Sequence, residues 1–397
     1  MTWATVPIGT VIRSSQYGLS LPVDPDGLLP IVGMKDIQDG HVRIDPTVCV
    51  NMSEEGARDY LLADGDILLN RTNSPDLVGK TGIYRGDGKA VFASYLVRLV
   101  LDRERIDPDY VIQILASEGG QRDIRQLATR AISQANLNPT TFKKHFYIPL
   151  PQLGEQILIR NVLVTWDSAI EKTERLIAAK IRHLNALEHQ LLTARKRLNG
   201  FSIKWDVLRA DRIFDSVSLK GFGSEPLLSV TQDHGVIPRD KLTGRVTMPS
   251  GDTTSFKLVE PGNFVISLRS FQGGLEHSNY RGLVSPAYTV LRATREIDVR
   301  FFRHYFRSAD FIKRLSVAVI GIRDGKQVSF QDFCSIKIPF PSVAEQQAIA
   351  TVLDEAEAEV ALLRAQVIAF KKQKRGLMQK LLTGQWRVPV QSNEVAA

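Results

Sequence analysis

The sequence predicts an α+β fold of two mixed α/β domains with β-rich cores, each followed by a long helix. Three observations predict it. One phrase occurs twice, as LPQLGEQILI at 150–159 and as FPSVAEQQAI at 340–349. A long helical pattern follows each copy. Short alternating or β-branched runs punctuated by Gly and Pro, which are typical of strands and turns, precede each copy. The chain is therefore predicted to be an internal repeat with pseudo-two-fold symmetry.

The two helical patterns share a seven-residue apolar rhythm, which is typical of helices packed along a coiled-coil seam. In the first pattern, which contains no proline or glycine from 155 to 198, the apolar positions are Ile170, Ile177, Leu184, Leu191 and Leu198. In the second they are Val360, Leu363, Val367, Phe370, Leu377 and Leu381, with Lys374 interrupting the series. Soluble proteins avoid exposed apolar stripes, so the helices are expected to pair with each other. An antiparallel pair would place the two domains at its opposite ends, and a parallel pair is not excluded.

Fainter similarities between the two halves suggest where the domains lie. GDILLNR at 65–71 resembles GNFVISLR at 262–269, and DPDYVIQILAS at 107–117 resembles DVRFFRHYFRS at 298–308. We therefore predict a first domain at 1–150, a spacer helix at 151–200, a second domain at 201–340, and a C-terminal helix and tail at 341–397.

The composition is that of an ordinary globular protein, with 43% hydrophobic and 24% charged residues among 397. No apolar run approaches the ~20 residues that span a bilayer, and the N-terminus lacks a basic segment followed by an apolar one. A cytoplasmic protein without membrane contact is the expectation. Cys49 and Cys334 are predicted to be buried free thiols. The seven histidines show no metal-ligand spacing, so no metal site is predicted. The net charge of +8 is compatible with a polyanionic partner.

A family resemblance rests on the duplicated phrase, in which a proline stands four residues before Glu-Gln, on the long helix after it, and on LLTGQWRV at 381–388. GDILLNRTNSPDLVGKTGIY at 65–84, SLRSFQGGLEHSNYRGLVSPAYTVL at 267–291 and GIRDGKQVSFQDF at 321–333 agree with it. The chain resembles the specificity subunit of type I restriction-modification systems over nearly its whole length. That resemblance implies two target-recognition domains at opposite ends of an antiparallel pair of coiled-coil helices. Each domain would read one half of an asymmetric bipartite DNA site, and the helices would set the gap.

The resemblance also implies partners. Two modification subunits would bind S-adenosylmethionine and methylate adenine, and restriction subunits would use ATP and Mg²⁺ to translocate and cleave double-stranded DNA. No cofactor is expected in this chain, and no catalytic residue is predicted. Asn138-Pro139-Thr140 lacks the second proline and the aromatic residue of an adenine methyltransferase motif, and no P-loop is present in the sequence.

Two loops in each domain carry the forked or amide side chains that read base edges, and they occupy similar places in the two halves. In the first domain the candidates are Arg71, Thr72, Asn73, Ser74, Lys80, Arg130, Ser133, Gln134 and Asn136. In the second they are Arg269, Ser270, Phe271, Gln272, Tyr280, Arg281, Arg323, Lys326 and Gln327. The alternative interpretation is ordinary turn chemistry, for which Asn, Ser, Pro and Asp-Gly are also suited.

Glu155, Gln156, Glu345 and Gln346 fall in the first turn of each predicted long helix. A carboxylate there interacts favourably with the helix dipole by ~0.3–1 kcal/mol. The functional alternative is that these four residues form matching docking sites for two copies of a modification subunit. A different class of function also remains open, namely a non-catalytic coiled-coil scaffold whose domains bind proteins rather than DNA. A third possibility is a methyltransferase fused to its reader, but the sequence has no cofactor loop.

Overall fold

A computed structural model describes residues 3–86, 88–132, 134–242, 253–268, 270–318 and 328–388, with Phe271 described by its backbone alone. The chain divides into two compact units. Unit 1 comprises Met1–Thr173 and Gln366–Ala397, and unit 2 comprises Glu174–Ala365. Both divisions fall inside a long helix, so each unit contains a segment of both.

The helices follow one order in both halves of the chain: two short helices in succession, a third short helix, and a long helix. They are α1 (Pro108–Ala116), α2 (Glu118–Leu127), α3 (Pro139–His145), α4 (Leu153–Leu192), α5 (Ser270–Gly273), α6 (Val299–Arg307), α7 (Ala309–Ala318), α8 (Phe330–Cys334) and α9 (Val343–Leu381). Only the single turn α5 has no counterpart among the described helices of the first half. At ~1.5 Å per residue, the 40 residues of α4 and the 39 of α9 extend for roughly 60 Å each.

The strands of unit 1 are β1 (Ala4–Pro7), β2 (Ile12–Tyr17), β3 (Leu29–Val32), β4 (Ile37–Gln38), β5 (Gly40–Val42), β6 (Cys49–Val50), β7 (Ile67–Asn70), β8 (Thr72–Asn73), β9 (Thr81–Ile83), β10 (Val91–Phe92), β11 (Leu96–Leu101), β12 (Thr129–Arg130), β13 (Ala135–Asn136) and β14 (Tyr147–Leu150). The main sheet has the order β2-β11-β7-β9-β5-β4, and α1 packs beside β9. Smaller sheets pair β1 with β14, β3 with β6 and β10, and β13 with β8 and β12. The first unit is thus a sheet-rich domain, as the runs of β-branched residues predict.

The strands of unit 2 are β15 (Asp206–Arg209), β16 (Phe214–Val217), β17 (Leu228–Thr231), β18 (Gly235–Pro238), β19 (Lys257–Val259), β20 (Phe264–Ile266), β21 (Glu276–His277), β22 (Gly282–Val284), β23 (Thr289–Ala293) and β24 (Lys337–Phe340). The four-stranded sheet has the order β16-β23-β20-β21. In both units the first strand pairs antiparallel with the strand that leads into the long helix, as Ala4 opposite Leu150 and Asp206 opposite Phe340 show. The repeat therefore extends to strand pairing.

Each unit has its own apolar core, and the long helices contribute to both. In unit 1 the core around Tyr110 and Phe142 includes Ile159 of α4 and Leu381 of α9. In unit 2 an aromatic cluster centred on Phe306 packs against residues of α4 and α9 such as Leu191. Burial of such side chains stabilises a fold by ~1.5–3 kcal/mol each, so the helix segments are integral parts of both units.

The paired helix segments run antiparallel in unit 1. Lys374 Nζ on α9 lies 2.6 Å from Asp167 Oδ1 on α4, and Trp166 contacts Phe370 edge to face. Further back along α4, Glu155 binds Arg387, which follows α9, so the partner number rises as the α4 number falls. Lys374 is the residue that interrupts the apolar rhythm, and Asp167 compensates its charge.

The segments of unit 2 are also antiparallel. Lys180 Nζ on α4 lies 2.7 Å from Glu359 Oε1 on α9, and Arg197, which follows α4, binds Glu345 at the start of α9. Of the predicted seam, Val360 and Leu191 are buried, whereas Leu362 beside the seam is 71% exposed. The predicted antiparallel coiled-coil pairing is confirmed within each unit. None of the helices in the described ranges has the length and apolar character that crossing a bilayer requires.

Candidate nucleic-acid interface

The structure brings the two candidate loops of unit 1 together in one small sheet. Strand β13 pairs antiparallel with β8, placing Ala135 opposite Asn73 and Asn136 opposite Thr72. On its other edge β13 pairs with β12, so that Arg130 lies opposite Ala135. Thr72 Oγ1 donates a hydrogen bond to Asn136 Oδ1 across the strands, at 3.4 Å. Two segments that are about sixty residues apart in sequence therefore form a single surface.

Strands β12 and β13 form a hairpin that presents its tip to solvent. The backbone N–H of Ala131 donates to the carbonyl of Gln134 at 2.7 Å and closes the turn. Ile132 at the tip is fully exposed, and Arg130, Gln134 and Asn136 are exposed beside it. Ser133 lies outside the described residues. An apolar side chain flanked by a cation and amides is a combination suited to a nucleic-acid groove, where polar groups read edges and apolar ones contact base steps.

Arg71 is held against an exposed aromatic ring beside this sheet. Its guanidinium carbon lies 5.2 Å from the ring centroid of Tyr17, and its Nε donates to the carbonyl of Ser94 at 3.2 Å. Tyr17 is 53% exposed and Tyr95 is 50% exposed. The backbone carbonyl of Tyr95 accepts a hydrogen bond from the backbone N–H of Arg71. The sequence did not indicate Tyr17 or Tyr95, because Tyr17 ends the separate strand β2 and Tyr95 lies in the turn before β11. The stacking orients Arg71 before any partner arrives.

The other candidates of unit 1 combine partial exposure with turn chemistry. Asn73 Oδ1 accepts from the N–H of Ser74, whose carbonyl in turn accepts from two N–H groups at the start of the next turn. Lys80 is partly exposed, and its carbonyl pairs with the N–H of Asn70. For Asn73 and Ser74 the turn interpretation and the binding interpretation are compatible, since the turn holds them at the edge of the sheet.

In unit 2 the described candidates differ in how accessible they are. Gln272 is exposed on the single turn α5. Tyr280 is partly exposed and is joined by Lys241, whose Nζ lies 3.1 Å from the hydroxyl and 4.7 Å from the ring centroid. Lys241 was not among the predicted residues. Arg269, Arg323, Lys326 and Gln327 lie outside the described residues, as does the side chain of Phe271.

One of the predicted readers in unit 2 needs correction. Ser270 is only 1% exposed, and its hydroxyl accepts from the N–H of Ser267, so it serves the local turn and is not arranged to read a base. Arg281 forms ion pairs with Glu225 at 2.8 Å and Glu260 at 2.7 Å. The hydrogen bond with Glu225 raises the pKa of the Arg281 guanidinium. These bonds engage Nε and Nη1, whereas the side chain is 44% exposed, so Arg281 stays a candidate.

The duplicated Glu-Gln pair turns out to bind its own unit. In unit 1, Glu155 accepts hydrogen bonds from the indole of Trp3, at 3.1 Å, and from Arg387, at 2.6 and 2.8 Å. Gln156 accepts from the N–H of Asp107, at 2.9 Å, and Asp107 is the N-cap of α1. The amide of Gln156 also donates to the carbonyl of Pro151. The pair thus joins the beginning of α4 to Trp3, to Arg387 after α9, and to the N-cap of α1.

Unit 2 repeats these bonds with equivalent residues. Glu345 accepts from Trp205, at 2.9 Å, and from Arg197, at 2.6 and 2.7 Å. Gln346 accepts from the N–H of Asp298, which is the N-cap of α6, and donates to the carbonyl of Pro341. We call each set of bonds a Glu-Gln clamp.

The predicted docking role of Glu155, Gln156, Glu345 and Gln346 is therefore corrected. All four residues are between 0% and 4% exposed, and their polar atoms bind groups of their own unit. Buried polar groups without partners are costly, and the clamps provide those partners. The residues order the junction between helix and domain and offer no surface to another chain.

Similar proteins point in one direction. No family model matches the chain. The type I restriction enzyme MjaVIII specificity subunit of Methanocaldococcus jannaschii is 22% identical over 97% of this chain and 93% of its own length. A second protein of that archaeon, which carries a provisional name as the MjaX specificity subunit, is 25% identical over 97% of this chain and 94% of its own. The crystal structure of a type I restriction-modification S subunit from M. genitalium matches with a TM-score of 0.57, at 15% identity, over 98% of this chain and 97% of that one.

The predicted resemblance to type I specificity subunits is confirmed. It covers nearly the whole chain, both in sequence and in fold. Within this fold, the candidate surface of unit 1 lies on the small sheet of β8, β12 and β13, and both clamps lie at the junctions with the long helices.

Unit 2 buries a carboxylate that has no hydrogen-bond partner among the described residues. Glu276 on β21 is 2% exposed, and neither of its carboxylate oxygens has a hydrogen-bond partner in the described part of the chain. Burial raises the pKa of Glu276 to about 7, and Asp233 adds to the rise, while Arg307, 3.9 Å away, opposes it. Burial also lowers the pKa of its neighbour His277 to about 4. Both Glu276 and His277, at the edge of this sheet, are therefore largely neutral near pH 6.

We expect stability to fall with rising pH because of Glu276. Its carboxyl binds a proton more tightly when folded, with a pKa of about 7 against 4.5 when unfolded, so the native state binds more protons between these values. The stabilising contribution is complete below pH 4.5 and is lost as the pH rises through 7. Glu276→Gln should therefore raise the free energy of unfolding at pH 8 by about 1–3 kcal/mol and change it little at pH 5. Urea unfolding at both pH values measures this, and an equal effect at both would contradict it.

Proposed function

We propose that the chain is the DNA-specificity subunit of a type I restriction-modification complex. The observation that carries the proposal is the joining of both candidate loops of unit 1 into one exposed surface, with a hairpin tip and a stacked arginine, in a chain similar throughout to specificity subunits. Recognition domains at 1–150 and 201–340 would each read one half of a bipartite, asymmetric site on double-stranded DNA. The two domains differ in sequence, so the half-sites should differ as well.

The proposal assigns recognition to this chain and chemistry to its partners. Two modification subunits would bind S-adenosylmethionine, and restriction subunits would use ATP and Mg²⁺. The long helices at 151–200 and 341–397 would fix the number of unread base pairs between the half-sites, because unbroken helices of roughly 60 Å are long enough to separate two readers by more than a turn of B-DNA, which is about 34–36 Å. The complex would act in the cytoplasm.

The readers that support the proposal in unit 1 are Arg71, Thr72, Asn73, Ser74, Lys80, Arg130, Gln134 and Asn136, together with Ser133 beyond the described residues. In unit 2 they are Gln272, Tyr280 and the ion-paired Arg281, with Arg269, Phe271, Arg323, Lys326 and Gln327 proposed from the sequence alone. Arginine suits guanine, and asparagine or glutamine suits adenine, through paired hydrogen bonds. Lys241 joins Tyr280 as a cation that a phosphate would attract.

We expect Arg71→Ala to relax selectivity at one position of one half-site. A forked contact to a base edge contributes about 1–3 kcal/mol of discrimination. Sequencing of the methylated sites in cells that express the chain with its neighbouring subunits gives the motif. The wild type should give two read segments with a fixed gap, and Arg71→Ala should degrade one segment only.

Arg58→Ala is the matched control, because Arg58 is an exposed arginine of unit 1 outside the small sheet. It should leave the motif unchanged. Equal weakening on all DNA sequences would make Arg71 a phosphate contact, and a motif without a gap would contradict the spacer. DNA binding through phosphate contacts should weaken steeply with rising salt, because it releases counterions. The scaffold hypothesis predicts no such binding.

A further inference from the structure

A buried histidine of unit 2 faces carboxylates from both long helices. His304 lies on α6 and is 2% exposed. Its Nδ1 lies 3.7 Å from Glu188 Oε1 on α4 and 3.8 Å from Glu357 Oε1 on α9. The three ligand atoms lie within 4.8 Å of one another. The sequence pattern did not indicate this cluster, because its members come from three separate helices.

The hydrogen bonds of His304 leave Nδ1 as the free atom. Nε2 lies 2.9 Å from Asp354 Oδ1, to which it can donate its proton. Arg303 Nη2 also lies 3.0 Å from Nε2, but its two protons are directed to Asp354 at 2.7 Å and Glu357 at 2.8 Å. Nδ1 then carries a lone pair, and within the described ranges it makes no hydrogen bond. A second ring nitrogen bound to a carboxylate is the usual support of a metal-bound histidine.

The charges around His304 do not balance without a further cation. The carboxylates that contact His304 are Glu188 from α4 and Asp354 and Glu357 from α9. Arg300 and Arg303 on α6 bind Asp354, and Asp298 binds Arg300. In this network, four carboxylates against two guanidinium groups leave an excess of two negative charges before any charge on the imidazole is counted. Uncompensated charge is costly where burial limits hydration.

We propose that Glu188, His304 and Glu357 form a Zn²⁺ site. Bonds of about 2.0–2.2 Å in a tetrahedral shell place neighbouring ligand atoms about 3.3–3.6 Å apart. Nδ1 and each carboxylate oxygen therefore need to approach by only a few tenths of an ångström. The two carboxylate oxygens, which lie within 4.8 Å of each other, need to approach by at most about 1.5 Å. A mixed set of imidazole and carboxylate ligands suits zinc. The side chains of Glu188 and Glu357 are 26% and 38% exposed, which leaves a path for the ion and room for water as the fourth ligand.

The ion would join three helices of unit 2. Residue His304 belongs to α6 of the domain, whereas Glu188 and Glu357 belong to the two long helices. The site therefore lies where the domain is anchored to its helix pair, beside the Glu-Gln clamp whose Gln346 binds the cap of the same α6. Its role is structural, and it does not depend on the proposed DNA recognition.

Zinc analysis of the full-length chain tests the proposal. After dialysis against equimolar Zn²⁺, mass spectrometry of the metal should find about one zinc ion per chain, and competition with a chromophoric chelator gives its affinity. Glu188→Gln should lower that affinity by about tenfold or more, and Asp354→Asn, which alters the support of His304, by about 10–100-fold. Glu355→Gln is the matched control, because Glu355 is exposed on α9 two residues before Glu357. It should bind zinc as the wild type does.

Thermal unfolding supplies a second readout. Zn²⁺ should raise the Tm of the wild type and of Glu355→Gln, and EDTA should reverse the rise, whereas Glu188→Gln should need at least tenfold more Zn²⁺ for the same rise. A chain that retains no zinc, or equal affinity in Glu188→Gln and Glu355→Gln, would overturn the proposal. So would a Tm that ignores EDTA but falls as the pH rises in the wild type and not in His304→Asn, since that result makes His304 an imidazolium paired with the carboxylates.

Discussion

Glu345→Gln should lower the free energy of unfolding of the chain by about 2–3 kcal/mol. The carboxylate is 2% exposed and accepts three hydrogen bonds, two from Arg197 and one from Trp205. An amide offers one oxygen instead of two, so one donor of Arg197 would face an NH₂ group and the guanidinium charge would lose its partner. Breaking a buried ion pair costs about 3–5 kcal/mol. The cost is lower here because the Arg197 side chain is 24% exposed and can be hydrated.

The equivalent clamp of unit 1 gives an internal comparison. Glu155→Gln removes the same kind of contact, but its partner Arg387 is 46% exposed, so the expected loss is about 1–2 kcal/mol. Glu355→Gln, on the exposed face of α9, should stay within about 0.5 kcal/mol of the wild type. Urea unfolding of the three full-length variants measures the order. If Glu345→Gln were no worse than Glu355→Gln, the clamp would have no part in stability.

The clamps show what the sequence could and could not predict. The apolar spacing after each copy of the duplicated phrase predicted both long helices, because such spacing is a local property of a segment. The first segment also lacks Pro and Gly from 155 to 198. The function of its Glu and Gln could not be predicted, since their partners Trp3, Arg387, Trp205 and Arg197 are brought to them by the tertiary fold. In the sequence, a carboxylate at a helix start that faces solvent cannot be distinguished from one that binds an indole.

The direction of helix pairing was open for a similar reason. A seven-residue rhythm reads alike from either end, so it predicts a seam and not an orientation. The ion pairs Asp167–Lys374 and Glu155–Arg387 show the direction in unit 1, and Lys180–Glu359 and Arg197–Glu345 show it in unit 2. Which charged residues pair across the helices depends on the tertiary fold and not on the local sequence.

The candidate site was partly predictable. Side-chain chemistry selected the loops of unit 1, and the sheet of β8, β12 and β13 joins them. The same criterion selected Arg281, because a sequence does not show that Glu225 and Glu260 surround it. It overlooked Tyr17, whose importance comes only from its contact with Arg71.

The hairpin tip should carry the largest share of recognition by unit 1. We expect the triple variant Arg130→Ala, Ile132→Ala, Gln134→Ala to lose about 3 kcal/mol or more of discrimination for one half-site, which is roughly 100-fold in relative affinity. Arg130 and Gln134 supply forked and amide hydrogen-bond donors. The exposure of the apolar Ile132 side chain to water is unfavourable, and contact with a base step would remove it from water. All three are exposed, so the fold of the domain should survive.

Competition binding by the assembled complex measures this effect. The competing duplexes carry an intact or a scrambled version of each half-site, taken from the methylated motif. Discrimination should vanish for one half-site and persist for the other, because the second unit is unchanged. The control replaces Arg58, Leu28 and Gln38 of unit 1 by alanine, which removes the same side-chain types and the same charge from exposed positions. If the control lost as much discrimination as the hairpin variant, net charge and not the hairpin would account for binding. If the hairpin variant lost discrimination at both half-sites, the idea that each unit reads one half-site would be wrong.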